Sequence, residues 1–211
     1  MTAVLTNQQD QSYRRRLAAL SLAMLLPSLG TSIANVALPS LAVAFAAPFQ
    51  QVQWVVISYL LAVTTLIVGV GRMGDLIGRR RLLLVGIGIF AVASASCAIA
   101  PTLWVLMVAR SVQGLGAAIM MALTIALVSD MVPKARSGAA IGLLGTVSAV
   151  GTALGPSLGG VLIAWFNWQA VFVVMAGAGA LAFWVGQRVF PAEPPVALNP
   201  HSPSKSLISL S

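Results

Sequence analysis

Six stretches of the chain, 17–38, 52–70, 82–100, 103–128, 138–164 and 169–186, run for about twenty residues with scarcely a charge. A hydrocarbon core about 30 Å thick takes roughly 20 apolar residues of helix, so each stretch is long enough to cross a bilayer. Barrel strands would alternate polar and apolar positions over about ten residues. These runs are longer, unbroken and rich in Leu and Ala, so the pattern predicts six transmembrane helices and an all-α membrane protein.

Composition sharpens this picture. The 211 residues are 59% hydrophobic and only 8% charged, whereas a soluble domain carries about a quarter charged residues. Twelve Lys and Arg against four Asp and Glu leave a net charge of +8. A nucleic-acid binder would gather such cations on one polar face among aromatics. Here they punctuate the apolar runs. Arg14, Arg15 and Arg16 precede the first helix, and Arg72, Arg79, Arg80 and Arg81 separate the second from the third. Lys134 and Arg136 follow the fourth, Arg188 and Lys205 follow the sixth, and the alternate loops carry none. Cations are retained on the cytoplasmic side, so both termini are expected there, in a multi-pass protein of the plasma (inner) membrane. Trp54, Trp104, Trp165 and Trp168 fall at the opposite helix ends, where an amphipathic ring suits the headgroup layer. Residues 14–38 also have the charge and apolar order of a signal peptide. Their apolar stretch is long enough to cross, and five further spans make a cleaved leader unnecessary.

The expected domains are a cytoplasmic tail over 1–16, the six-helix unit over 17–188, and a Pro- and Ser-rich cytoplasmic linker or tail over 189–211. One cysteine, Cys97, and one histidine, His201, offer no disulfide framework or metal cluster, so no metal and no cofactor is expected. The spans hold no convergent nucleophiles, acids or bases for an intramembrane enzyme, and no phosphate-binding loop marks a primary pump.

Four segments carry more than hydrophobicity. Between the second and third helices stands Gly71-Arg72-Met73-Gly74-Asp75-Leu76-Ile77-Gly78-Arg79-Arg80-Arg81. Its glycines allow close backbone approach and unusual dihedrals, Asp75 can pair with a cation, and the arginines suit anionic headgroups. The fourth helix places Arg110 about seven residues, hence about 10 Å, inside its outer end. A cation there costs roughly 2.5–3.5 kcal/mol unless protein or water receives it, and 10 Å exceeds a comfortable snorkel for Arg. Gln113 lies one turn along on the same face. The fifth helix contains Gly151-Thr152-Ala153-Leu154-Gly155-Pro156-Ser157-Leu158-Gly159-Gly160. Its small residues at Gly138, Gly142, Gly145, Ser148, Thr152, Gly155 and Gly159 predict close packing of another helix. Pro156 removes one backbone donor and bends the helix. The first helix carries Ser28, Thr31, Ser32 and Asn35 at helical spacing, suited to lining a cavity.

In this order the four segments resemble motifs of the major facilitator superfamily, specifically drug/proton antiporters of its fourteen-helix branch. The resemblance covers nearly all of 17–188 and implies the amino-terminal half of that fold: two inverted three-helix repeats, paired with a second six-helix half around a midplane substrate site. It implies a secondary active transporter that exports hydrophobic or cationic drugs by proton antiport and alternating access. Gly71, Asp75, Gly78, Arg79 and Arg80 would form the cytoplasmic gating loop. Asn35, Thr31, Arg110 and Gln113 would form the substrate cavity, with Gly151, Gly155, Pro156, Gly159 and Gly160 as the antiporter motif. The implied partners are a small-molecule substrate, protons, the lipid bilayer and a second half supplied by the same or another chain, with no nucleic acid. One departure matters: Gly30 stands where the first-helix pattern has Asp. A carboxylate in low dielectric can take up a proton near neutral pH. The four acids here are Asp10, Asp75, Asp130 and Glu193, all outside the bilayer interior. A lone half would leave Arg110, Gln113 and Asn35 against lipid or against another subunit. The expectation is therefore a truncated product of a longer transporter or, less favoured, two copies that associate into a two-fold assembly; the alternative to a transporter half is a truncated, non-transporting membrane fragment or a six-helix subunit that acts only as a dimer.

Overall fold

A computed structural model describes residues 2–132 and 134–189. Glu193, His201, Lys205 and the remainder of the expected linker lie outside them, as do the side chains of Arg14, Lys134 and Arg136. Six helices follow in order: α1 (Thr2–Ala44), α2 (Phe49–Ile77), α3 (Arg79–Ala98), α4 (Leu103–Met131), α5 (Lys134–Trp165) and α6 (Trp168–Val189). Among the described residues all regular structure is helical. Each helix contains one of the six apolar runs, and all six are long and apolar enough to cross a membrane. The first begins earlier than its apolar run, because Thr2 already starts α1. At 1.5 Å per residue its apolar portion, Arg15–Ala44, reaches about 45 Å, so α1 extends beyond the hydrocarbon layer.

The helices pack by exchange between two three-helix units. The pairing of α1 with α5 is matched by that of α4 with α2, while α3 lies between α4 and α6. The interior has two apolar layers. One, toward the arginine-bearing end, holds Leu20, Leu26, Tyr59, Leu83, Phe90, Met120 and Leu123; the other holds Leu41, Val55, Leu106, Trp168 and Phe172. Trp168 thus departs from its expected headgroup position. It is buried against Phe45 and Phe172, with ring centroids 5.4 and 6.1 Å away. The short turn that begins α6 tips the ring inward, while Trp54, Trp104 and Trp165 remain exposed.

Coverage is uneven in a way that positions the site. Of the most apolar stretch of each helix, 67% is buried in α1 and 56% in α4, but only 17% in α2 and in α5. The two centre helices are enclosed and their two flanking helices are largely bare.

Candidate functional site

Arg110 sits between the two apolar layers and is 1% exposed. Its guanidinium donates from Nε to Val55 O on α2 at 3.3 Å, from Nη2 to Gly30 O on α1 at 3.3 Å, and from Nη1 to Gln113 Oε1 at 2.5 Å. Tyr59 presents its ring 4.2 Å from the guanidinium carbon, and Phe172 on α6 lies 5.9 Å away. Gln113 passes the network on: Nε2 donates to Ser94 Oγ at 2.6 Å, and Ser94 donates to Phe90 O at 2.6 Å on α3. Among the described residues no carboxylate pairs with Arg110. Carbonyl dipoles and a desolvated cation–π contact, worth about 2 kcal/mol, receive the charge instead.

Arg110 and Gln113 are the two α4 residues that the resemblance assigns to the substrate cavity. Both are closed inside this bundle, Gln113 at 0% exposure, because α1, α2, α3 and α6 together supply the acceptors and rings. The four expected cavity residues therefore divide. Asn35 is exposed and Thr31 half-buried, whereas Arg110 and Gln113 stand behind that wall. Ser28 and Ser32, also expected to line a cavity, turn toward α5.

The α1–α5 seam explains the fifth-helix motif. Proline at 156 cannot donate to the carbonyl four residues earlier, which leaves Thr152 O without its helical partner. Ser32 Oγ of α1 donates to that oxygen at 2.7 Å. Gly155 makes the approach possible, since a Cβ there would lie 2.9 Å from Ile33 N and closer still to Ser32 Oγ. Gly151 and Gly159 continue the seam against Leu25 O and Ile33, and Ser28 and Ser148 share a 2.6 Å hydrogen bond. Pro156 itself is exposed, and Gly160 meets nothing that a Cβ would touch. The predicted small-residue face thus splits in two: Gly155 and Gly159, with Gly151 beside them, pack on α1, while Gly138, Gly142 and Gly145 face open space.

The turn between α2 and α3 also separates into parts. Gly78 has φ 96°, a conformation that side chains resist. Gly74 is closely packed, because a Cβ would meet Leu123 at 2.8 Å, whereas Gly71 is open. Arg79 donates to Asp75 Oδ1 from Nη2 at 2.9 Å and from Nε at 3.2 Å, and its Nη1 reaches Asp130 Oδ2 at 2.5 Å. The arginine thereby clasps the ends of α2 and α4. Arg80 is half-buried, with its Nε unpaired. Sequence reasoning missed Asp130, Ser94 and Tyr59. A charge opposite in sign to a neighbouring loop's arginines was the available clue for Asp130; nothing local marks the other two.

The family model for the Major Facilitator Superfamily matches residues 20–210. The chain belongs to the major facilitator superfamily. Within that superfamily it is 39% identical over 170 residues to "Multidrug resistance protein Stp" of Mycobacterium tuberculosis (strain CDC 1551 / Oshkosh), covering 80% of this chain and 32% of that protein. It is 36% identical over 173 residues to "Drug efflux pump JefA" of the same strain, covering 81% and 34%. It is 34% identical over 175 residues to "Riboflavin transporter RibZ" of Clostridioides difficile (strain 630), covering 83% and 38%. The chain spans about a third of the length of these curated relatives. Its fold is shared with a solved bacterial homolog of the human lysosomal transporter Spinster, in an inward-facing and unoccupied conformation. That match has a TM-score of 0.75 at 18% identity and covers 87% of this chain and 44% of the other. The superfamily is one of transporters, and six spans make this a multi-pass membrane protein.

Proposed function

We propose that this chain forms the amino-terminal six-helix half of a secondary active transporter that exports hydrophobic or cationic drugs by proton antiport. The observation that carries the reading is the uneven coverage of the bundle. Its polar centre is already closed, yet α2 and α5 hold wide bare faces on either side of α1 and α4. In a family built of two halves, those faces suit a second six-helix unit, with substrate between. Asn35 and Thr31 would front the substrate cavity. Arg110 and Gln113 would hold α1, α2 and α3 in register behind it. The motif Gly151, Gly155, Pro156, Gly159 and Gly160 would keep α5 fastened to α1 while the halves rock. The clasp of Asp75, Arg79 and Asp130, carried by Gly71, Gly78 and Arg80, would sit on the cytoplasmic side, facing both termini in a plasma-membrane orientation. The names of the two drug-related proteins support the substrate class.

Proton coupling requires a titrating group in the pathway. Asp75 and Asp130 are held by Arg79 at helix ends, so the second half would supply that group.

The test is flux. The chain alone, and the chain joined to a second six-helix half, would be reconstituted in proteoliposomes with an imposed proton gradient and a fluorescent drug. Gradient-driven flux by the joined protein alone is expected. Equal flux from the isolated monomer, or none from a folded joined protein, would overturn the reading.

A further inference from the structure

The side of the bundle formed by α3, α4 and α6 carries a groove of about 1090 Å³. Its floor is α3, where Gly88 leaves room, and its walls are Val108 of α4 and Phe183 of α6. The groove runs from Arg81 and Gln187 at the arginine-bearing end to Trp104 at the other. Its α3 lining extends from Arg81 to Ser96, a rise of about 22 Å along the helix, which exceeds the roughly 15 Å depth of one leaflet. It lies on the α3 side, whereas the least covered helices are α2 and α5, the faces that the proposed function gives to a second half.

Charge says what fills it. Arg81 is exposed at the mouth and forms no ion pair among the described residues. The two nearby acids, Asp75 and Asp130, are both engaged by Arg79. Arg188 follows Gln187 on α6 and stacks on Trp184 at 4.1 Å, which adds a second cation to that end. A guanidinium suits a phosphate diester as a two-pronged donor, and an apolar channel deeper than a leaflet suits one acyl chain. We infer that this groove is a binding site for one anionic phospholipid of the arginine-side leaflet, its phosphate on Arg81 and an acyl chain along α3 between Val108 and Phe183.

The chain would be purified in mild detergent, loaded with phosphatidylglycerol or phosphatidylcholine, and examined by native mass spectrometry for retained lipid. Phosphatidylglycerol is expected to be retained in preference. Arg81→Gln should lower its retention about fivefold, the effect of one cation near a headgroup, and lower that of phosphatidylcholine by less, because the choline cation already offsets its phosphate. Gly88→Leu should lower both lipids by about tenfold or more, since the chain loses buried methylenes. A Cβ at Gly88 meets only Phe183, at ordinary contact of 3.7 Å, so that variant should fold. Val92→Trp, at a position 68% exposed in the same groove, blocks it independently. Arg72→Gln, on exposed α2 outside the groove, should change nothing. Three results would each refute the site: equal loss in Arg72→Gln and Arg81→Gln, no loss with either blocking variant, or equal retention of the two lipids.

Discussion

The seam between α1 and α5 can be tested by placing one methyl group in it. In Gly155→Ala the new Cβ would lie 2.9 Å from Ile33 N and 2.9 Å from Ser32 Cβ, and it would collide outright with Ser32 Oγ. Backbone cannot yield as a flexible side chain can, so α5 must shift, at about 1–3 kcal/mol for overpacking. The shift also breaks the Ser32 hydrogen bond to Thr152 O, which Pro156 cannot replace. An interhelical hydrogen bond in a membrane protein is worth about 0.6–1.7 kcal/mol. The total is roughly 2–4 kcal/mol, or about 4–16 °C in unfolding temperature for a domain of this size. Cys97 supplies the readout: it is the sole cysteine and is fully buried, so a thiol-reactive dye in mild detergent reports opening of the bundle. Gly145→Ala, where a Cβ meets nothing, should leave the midpoint unchanged or raised. Ser32→Ala alone should cost only the hydrogen bond. The double variant Ser32→Ala with Gly155→Ala should cost less than the sum, because the worst collision partner is gone. Equal midpoints for Gly155→Ala and Gly145→Ala, or strict additivity of the pair, would refute this account of the motif.

Three further outcomes follow from the same geometry. Arg110→Leu should lower the Cys97 protection midpoint by an amount matching about 2–4 kcal/mol, since Gln113 Oε1, Gly30 O and the Tyr59 ring all lose their partner. Arg110→Lys should recover only part, because an ammonium cannot span three acceptors on separate helices. Gly78→Ala should cost about 1–2 kcal/mol in the same assay, the penalty for a side chain at φ 96°. Asp130→Asn should shift stability by no more than about 1 kcal/mol, and the wild-type advantage should fade in high salt, because both acids are more than half exposed.

The number and order of the helices were legible because a bilayer imposes a length and a polarity that twenty residues suffice to display. Arg110 was legible as an anomaly for the same reason: a cation in an apolar run has few physical outlets. What receives it was not legible. Its acceptors are backbone oxygens of Gly30 and Val55, which every residue type carries, and its stacking partner Tyr59 is distant in sequence and lacks any local mark. The fifth helix shows the same boundary. Small residues at three- and four-residue spacing predict a close neighbour, but two such stripes run along α5 and only the one through Gly155 meets α1. Choosing between them requires the partner's shape.

Pro156 shows why the seam and the uncovered surface belong to one design. A proline inside a membrane helix leaves a carbonyl that lipid cannot satisfy. Here the unsatisfied oxygen of Thr152 is turned to α1 and answered by Ser32, while the proline ring faces outward with the bare side of α5. The polar consequence of the bend is resolved within the bundle, and only apolar or small groups around Pro156 are left for an external neighbour. The α2 side follows the same division: Tyr59 turns inward, its hydroxyl donating to Pro27 O at 2.9 Å, while Ile57, Leu61 and Val68 remain exposed. A helix partner arriving on these faces would meet no buried charge and break no existing hydrogen bond. Its attachment would then depend on packing alone, and packing contacts can slide or separate at far lower cost than a network like that around Arg110.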